Sequence, residues 1–572
     1  MKSKFLIILT LICSLLCSAC GGRVIHEYDP NKTQIFVSVF DGGYGTEWID
    51  KAAAEFNEDL KDYEIIISPN KAEEGNILST FISGYPSADI YFTTSLKNIK
   101  GMISGGYLID LSDIYKEKAA DEDEKTIEEK MNNAELYKEV FSDSIGNRDG
   151  IYGLPFGDSF IAPVYDNDTF VEKEWAYFAT EEKDGQALSA AGISYTSGTT
   201  GFGTPVLLFS SSEGKTNYEK GDVILTAGKD GKYGTYDDGQ PQTMAEYDEL
   251  IAKIKASGAK PFIWSGTFLD YSIPYADMIF AQYEGVDNFK NFFTYDFDYK
   301  GTHISLEDGY KVWEMDGVKL AMEYTYRYLY GNGANYHPAA DSETVSHAGA
   351  QNNFILGYKN AEGNPLSAML FDGIWWENEA KTTFNSVTSD GRGFGRRDYR
   401  FMLFPEMEGQ KGIDGKGNGS VVSATDTGGV FAYKSKDETK NEIIKDFIKL
   451  TTSDKYLREF SKSGGIRPYT FDLGEENYQA FTPCQKAAWD IYHDSENIAV
   501  VRKNHYRQLS PIGYATSKTD IDYSSYLSNV LYVCPVQGYM ARRNIDSAQY
   551  IAGMQKYYKD NWPTYVGELK KA

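Results

Sequence analysis

Apolar and polar residues alternate with a two-residue period over Gln34–Phe40 and again over Glu64–Ser68, which predicts two strands. Between them Trp48, Ile49, Ala52, Ala53 and Phe56 recur at helical spacing. A helix therefore follows the Asp41-Gly42-Gly43 break, with Thr46 as its expected cap. A second helix is expected around Asn76–Ile82, and Ala88–Phe92 reads as a third strand. This opening βαβαβ order predicts an α/β layered sheet whose ligand-facing loops sit at strand ends. Downstream, Asp110–Glu139 is charged and helical, Gly150–Gly157 a strand and turn, and Ile161–Tyr165 a strand. Residues 170–245 have the Gly, Ser, Thr and charge content of insertions and loops. Helices resume at Met244–Ser257 and continue, Tyr-rich, to about residue 330. Ser367–Phe371 is a strand ending at Asp372-Gly373, Tyr399–Phe404 another in a Gly-rich passage, and Val421–Tyr433 a candidate strand pair. Lys436–Leu450 and Ser547–Tyr558 are helical.

The first residues change the picture. Met1-Lys2-Ser3-Lys4, an apolar run from Phe5 to Cys17 and small residues form an export signal. The run is shorter than the roughly 20 residues a membrane-spanning helix needs. Leu16-Cys17-Ser18-Ala19-Cys20 resembles the bacterial lipobox, with Cys17 where that pattern usually carries Leu. The resemblance implies a removed signal peptide (1–19), acylation of Cys20, and a tether (20–33) outside the cell membrane; plain secretion is the alternative. Cys484 and Cys534 are too few for a disulfide framework, and either pair or sit buried as small apolar side chains; burial is expected.

A charge of −26 repels nucleic acid and anionic lipid, so neither is an expected partner. The chain is long enough for two lobes, and its 44 tyrosines offer apolar faces with polar tips, the surface that stacks on pyranose rings. His-Glu-x-x-His and Gly-x-Ser-x-Gly are absent, and Gly214-Lys215-Thr216 lacks the earlier glycine of a phosphate loop, where Phe209 stands instead. Asp230, Asp237 and Asp238 lie on an acidic, Gly-rich loop. The spacing departs from the EF-hand, so a solvated turn is the favoured reading and no cofactor is expected; calcium is the alternative such a loop would take.

Five segments resemble family 1 extracellular solute-binding proteins, the oligosaccharide-binding components of ABC importers. They are Phe40–Trp48, Asp89–Thr93, Tyr152–Pro155 with Val164–Asp168, Ala368–Trp376 and Lys445–Leu450, in the family's order. The resemblance implies a two-lobed α/β fold of the type II periplasmic-binding-protein class, each lobe a sheet flanked by helices, joined by hinge strands. Lobe one would take 34–160 and 402–467, lobe two 161–401 and 468–572. It implies a monomeric, non-enzymatic binder that closes on an oligosaccharide and delivers it to an ABC permease.

Candidate ligand-binding residues follow from strand ends and from the resemblance. Trp375, Trp376 and Glu377 follow a strand and match the family's sugar-stacking segment, an indole for the C–H face and a carboxylate for hydroxyls. One of the two tryptophans is expected in the core. Tyr44, Glu47 and Thr94 sit on loops of the first sheet, Asp158 at the expected hinge. Trp264, Asp270 and Arg467 are further candidates, equally readable as packing residues or, for Arg467, as a carboxylate partner. The rival function is a surface glycoside hydrolase, which needs two carboxylates about 5–10 Å apart across a glycosidic bond. Asp372, Glu377 and Glu379 are the acids that would supply them.

Overall fold

The computed structural model describes residues 28–70, 76–143, 149–211, 218–426, 428–512, 525–527 and 530–570. The expected signal peptide, Cys20 and most of the expected tether lie outside the described residues. No helix among the described residues is long and apolar enough to cross a membrane.

Two sheets divide the chain. In the first, β1 (Thr33–Phe40) pairs in parallel with β2 (Tyr63–Asn70) and with β3 (Ile90–Thr93). The alternation seen in the sequence has its cause here: Ile35, Val37 and Val39 are fully buried, and Ile65 and Ile67 stand beside the first two. The helix Glu47–Glu58 covers this face with Trp48, Ile49, Ala52 and Ala53. Thr46 does not cap it through its side chain; the hydroxyl donates to Asp50 Oδ2 at 2.8 Å. The stretch Asp110–Glu139 holds three short helices, Ser112–Tyr115, Ile127–Lys130 and Ala134–Val140, rather than one. β4 (Leu154–Pro155) ends the first lobe's opening run.

β5 (Ser159–Asp166) begins the second sheet. Residues 170–245, read as loops, contain the helix Glu181–Ala190 and the hairpin β6 (Tyr195–Thr199) and β7 (Pro205–Phe209). Leu188, Leu207, Phe209 and Ile224 give this insertion a small core of its own. β8 (Lys260–Ile263) follows, then a hairpin of β9 (Phe297–Tyr299) and β10 (Thr302–Ile304), then β11 (Ser367–Gly373), β12 (Tyr399–Phe401) and β13 (Ser420–Asp426). β14 (Gly429–Ala432) returns to the first sheet beside β3 and β4, and β15 (Ile498–Val501) joins β13 in the second. The second sheet runs β15-β13-β5-β11-β8, with β12 also on β5. Beyond it β16 (Ser525–Leu527) and β17 (Val530–Tyr532) form a last hairpin. The closing helix, Ser547–Leu569, runs past the expected Tyr558 and through Pro563. Tyr558 stacks on Trp313 at 4.5 Å, and Trp562 Nε1 donates to the Leu306 carbonyl at 2.8 Å, so tertiary packing holds the turn that proline disfavours.

This pairing moves two expected lobe boundaries. Residues 402–426, assigned from the sequence to lobe one, belong to lobe two, because β13 pairs with β5 and β15. The return crossing is at Asp426–Gly428, so the two strands of Val421–Tyr433 do not pair with each other. The first crossing lies between Pro155 and Ser159, slightly before residue 160. Tyr469 still bridges Met131 in lobe one, so the third crossing comes after it. Cys484 and Cys534 are both buried and form no disulfide with each other.

Candidate functional site

The lobes meet where β11 ends. Gly373 permits the chain to fold Trp375 back over the strand, since a Cβ there would stand 2.2 Å from the indole carbons. The Trp375 ring then faces lobe one. Gly43, at φ +84°, passes so close that an added Cβ would lie 3.1 Å from Trp375 and 3.3 Å from Glu379. Tyr44 meets the Trp375 ring edge-on, centroids 5.9 Å apart at 74°. Its hydroxyl hydrogen-bonds with Ser159 Oγ at the start of β5. Asn378 Nδ2 donates to the Gly43 carbonyl at 2.5 Å. One short loop of lobe one is thus seated on one helix start of lobe two.

Behind Trp375 lies a polar network that sequence reading missed in part. Gln351 Nε2 donates to Asp372 Oδ2 at 3.0 Å and to Glu379 Oε2 at 2.7 Å. His347 Nε2 stands 3.2 Å from Glu379 Oε1. Burial, reinforced by the Glu379 charge, pushes the Asp372 carboxyl up to about 8, so it holds its proton at neutral pH. The hydrogen bond to Glu379 raises His347 in turn. Tyr271 lies parallel to the His347 ring at 6.5 Å, and Phe268, 44 % exposed, stands 5.8 Å away. Gln351 and His347 come from the helix His347–Leu356, whose own sequence carries no mark of a site; only the packing of that helix beside β11 brings them there.

The other candidates divide sharply. Trp376 is fully buried, boxed by Phe354, Phe384 and Tyr399, with Nε1 donating to Cys484 Sγ at 3.3 Å. It is a core residue. Glu377 is 2 % exposed and accepts from Thr482 Oγ1 at 2.5 Å and Gly395 N at 3.2 Å; burial raises it to about 7. Asp158 is fully buried at the first crossing, where Arg502 Nε donates to both its oxygens at 2.9 Å and Tyr492 Oη donates at 2.6 Å. Its carboxylate serves the hinge. Arg467, 2 % exposed, donates Nε to the Phe156 carbonyl at 3.0 Å and lies between the Trp48 and Tyr469 rings. Trp264 is buried between Tyr336 and Phe371. Thr94 is buried where Gly428 passes, so close that a Cβ on that glycine would stand 2.4 Å from the Thr94 Cα. Glu47 and Asp270 are exposed at helix starts.

The acidic loop satisfies itself. Asp238 accepts from Gly234 N at 2.6 Å and Tyr218 Oη at 3.0 Å, and Asp237 from Thr235 Oγ1 at 3.0 Å and Asp230 N at 3.2 Å. Among the described residues no group of three or more His, Cys, Asp or Glu side chains has the arrangement to hold a metal ion.

No protein-family model matches the chain, and no curated relative does. Solved structures do. A chitin oligosaccharide binding protein superposes at a TM-score of 0.53 and 14 % identity, covering 93 % of this chain and all of its own. The apo form of RafE from Streptococcus pneumoniae gives 0.51 at 13 % identity, covering 93 % and 98 %. A probable secreted solute-binding lipoprotein from Streptomyces coelicolor gives 0.50 at 13 %, covering 93 % and 100 %. The chain has the two-lobed α/β fold of solute-binding proteins. At these identities the likeness carries the fold.

Proposed function

We propose that this protein captures an oligosaccharide between its lobes and delivers it, unbroken, to an ABC-class importer. The observation that carries the reading is the junction of the two lobes. Tyr44 of one and Trp375 of the other, 7 % and 5 % exposed, pack edge-on where the sheets' strand ends converge, so the two rings come free for a ligand as the lobes part. Hinged lobes gain contacts through a ligand that neither makes alone, and opposed aromatic rings suit the apolar faces of sugar rings. Glu379 and His347, both partly exposed beside them, offer hydroxyls an acceptor and a donor.

The hydrolase reading loses its support to burial. Of the three acids that would flank a glycosidic bond, Asp372 and Glu377 are 1 % and 2 % exposed and hydrogen-bonded within lobe two, which leaves Glu379 without a second carboxylate. The tether at Cys20 belongs to the same proposal and rests on the lipobox resemblance alone. A thermal-shift screen of the soluble chain against starch, plant and host glycans tests the reading. A binder raises the melting temperature with ligand concentration. Chromatography of the same mixtures should return the glycan intact. Shortened products, or a panel with no shift, would overturn the proposal.

A further inference from the structure

β5 runs from Ser159, at the lobe junction, to Asp166, and Asn167 lies about 25 Å from Ser159 at the rise of an extended strand. At that far end lies a cavity of about 580 Å³. It opens between the helix Asn167–Glu172, the insertion at Asp222–Leu225, the segment Arg397–Arg400 and the helix Pro483–His493. We propose that this cavity is a second binding site, for a neutral polyol of mono- or disaccharide size.

The volume falls within the roughly 300–1,000 Å³ of small-molecule sites. The walls decide the ligand's charge. Asp168, Glu172, Asp222, Asp398 and Asp490 would repel an anion, and the arginines on the same wall are already engaged. Arg397 bonds Asp166 and Glu172 at 3.0 Å each, and Arg400 bonds Asp398 at 2.7 Å. A bare cation finds Glu172 and Asp398 already paired with those arginines, and among the described residues no group of three His, Cys, Asp or Glu side chains is arranged to hold a metal ion. An uncharged ligand with many hydroxyls meets neither penalty, because each hydroxyl can donate to a carboxylate or accept from Lys486. Val171, Leu225, Pro483 and Ala487 supply the apolar patches that a sugar's C–H face covers.

One atom points to an absent donor. Asn167 is 6 % exposed and donates Nδ2 to Asp398 Oδ2 at 2.9 Å, while its Oδ1 has no partner among the described residues. A buried amide oxygen without a donor is costly, and a small turn of the Asn167 side chain toward the cavity would let a ligand hydroxyl satisfy it. This site does not depend on the cleft reading.

Equilibrium dialysis of the full chain with labelled glucose, maltose, lactose and xylobiose tests it. The variants are Trp375→Ala at the lobe junction, Val223→Trp to fill the cavity, and Asp490→Ala on its half-exposed helix. Circular dichroism melts show that each variant folds. The expected result is that at least one probe still binds Trp375→Ala, and that its affinity falls at least tenfold in both cavity variants. Binding lost in Trp375→Ala and untouched by the cavity variants overturns the second site and leaves the cleft reading standing. Binding that ignores Trp375→Ala but fails in the cavity variants supports the second site and leaves the cleft to be judged by the longer glycans of the thermal-shift screen. If none of the four probes binds the unaltered protein, the proposal falls.

Discussion

Replacing Asp372 with Asn removes the most strongly displaced carboxyl at the lobe junction. Asp372 goes from 3.8 in the unfolded chain to about 8 in the fold, because burial and the neighbouring Glu379 charge both oppose its ionisation. Below pH 4 both states hold the proton, and the group contributes its full stability. As pH rises from there toward 8, the unfolded chain releases a proton that the folded chain keeps. Each pH unit in that window lowers stability by about 1.4 kcal/mol, which from pH 5 to pH 8 amounts to about 4 kcal/mol. An amide has nothing to ionise, so D372N escapes the loss while still accepting from Gly373 N, which lies 2.8 Å from Asp372 Oδ1. Urea unfolding of both proteins at pH 5, 6, 7 and 8, followed by tryptophan fluorescence, reads the difference. The stability of D372N relative to the unaltered chain should climb by about 2–4 kcal/mol across the series. A difference that stays flat with pH would refute a proton on Asp372.

Further outcomes follow from the same geometry. Trp375→Ala should weaken oligosaccharide binding at least tenfold, about 1.4 kcal/mol, by calorimetry, with Trp375→Phe keeping part of the affinity; unchanged affinity removes the residue from the site. Trp376→Ala, one position on, should instead lower stability by about 3–5 kcal/mol, seen as a lower melting temperature, because it empties a boxed core position. Arg502→Met leaves Asp158 charged and buried, at a cost of about 3–5 kcal/mol; adding Asp158→Asn should restore most of it, and no recovery in the double variant would mean the pair is not coupled. The melting temperature should be indifferent to calcium and to chelator, since Asp237 and Asp238 are already held by their own loop; a rise with calcium would place a cation there.

The first sheet was legible because Ile35, Val37 and Val39 face a single core and leave a clean two-residue period. The same period could not say which sheet a strand joins. β13 and β14 are separated by two residues, as a hairpin would be, yet they diverge into different lobes. Glycine and serine content hid the hairpin β6–β7, whose side chains pack on a core too small to imprint a long apolar run. Strand ends placed Tyr44 and Trp375 near the junction, whereas adjacency alone could not show which tryptophan is boxed in the core, and it is Trp376. Asp158 and Arg467 read as cleft charges, but Asp158 is taken by Arg502 and Tyr492, and Arg467 is buried with Nε on the Phe156 carbonyl. Gln351 and His347 had no local signal, since only the packing of their helix beside β11 carries them to Asp372 and Glu379.

Whether the lobes move around a glycan is read most directly by small-angle X-ray scattering of the soluble chain, with and without a saccharide that stabilises it. Closure on the ligand predicts a smaller radius of gyration in the complex than in the free protein. Identical curves at saturating saccharide would contradict capture between moving lobes.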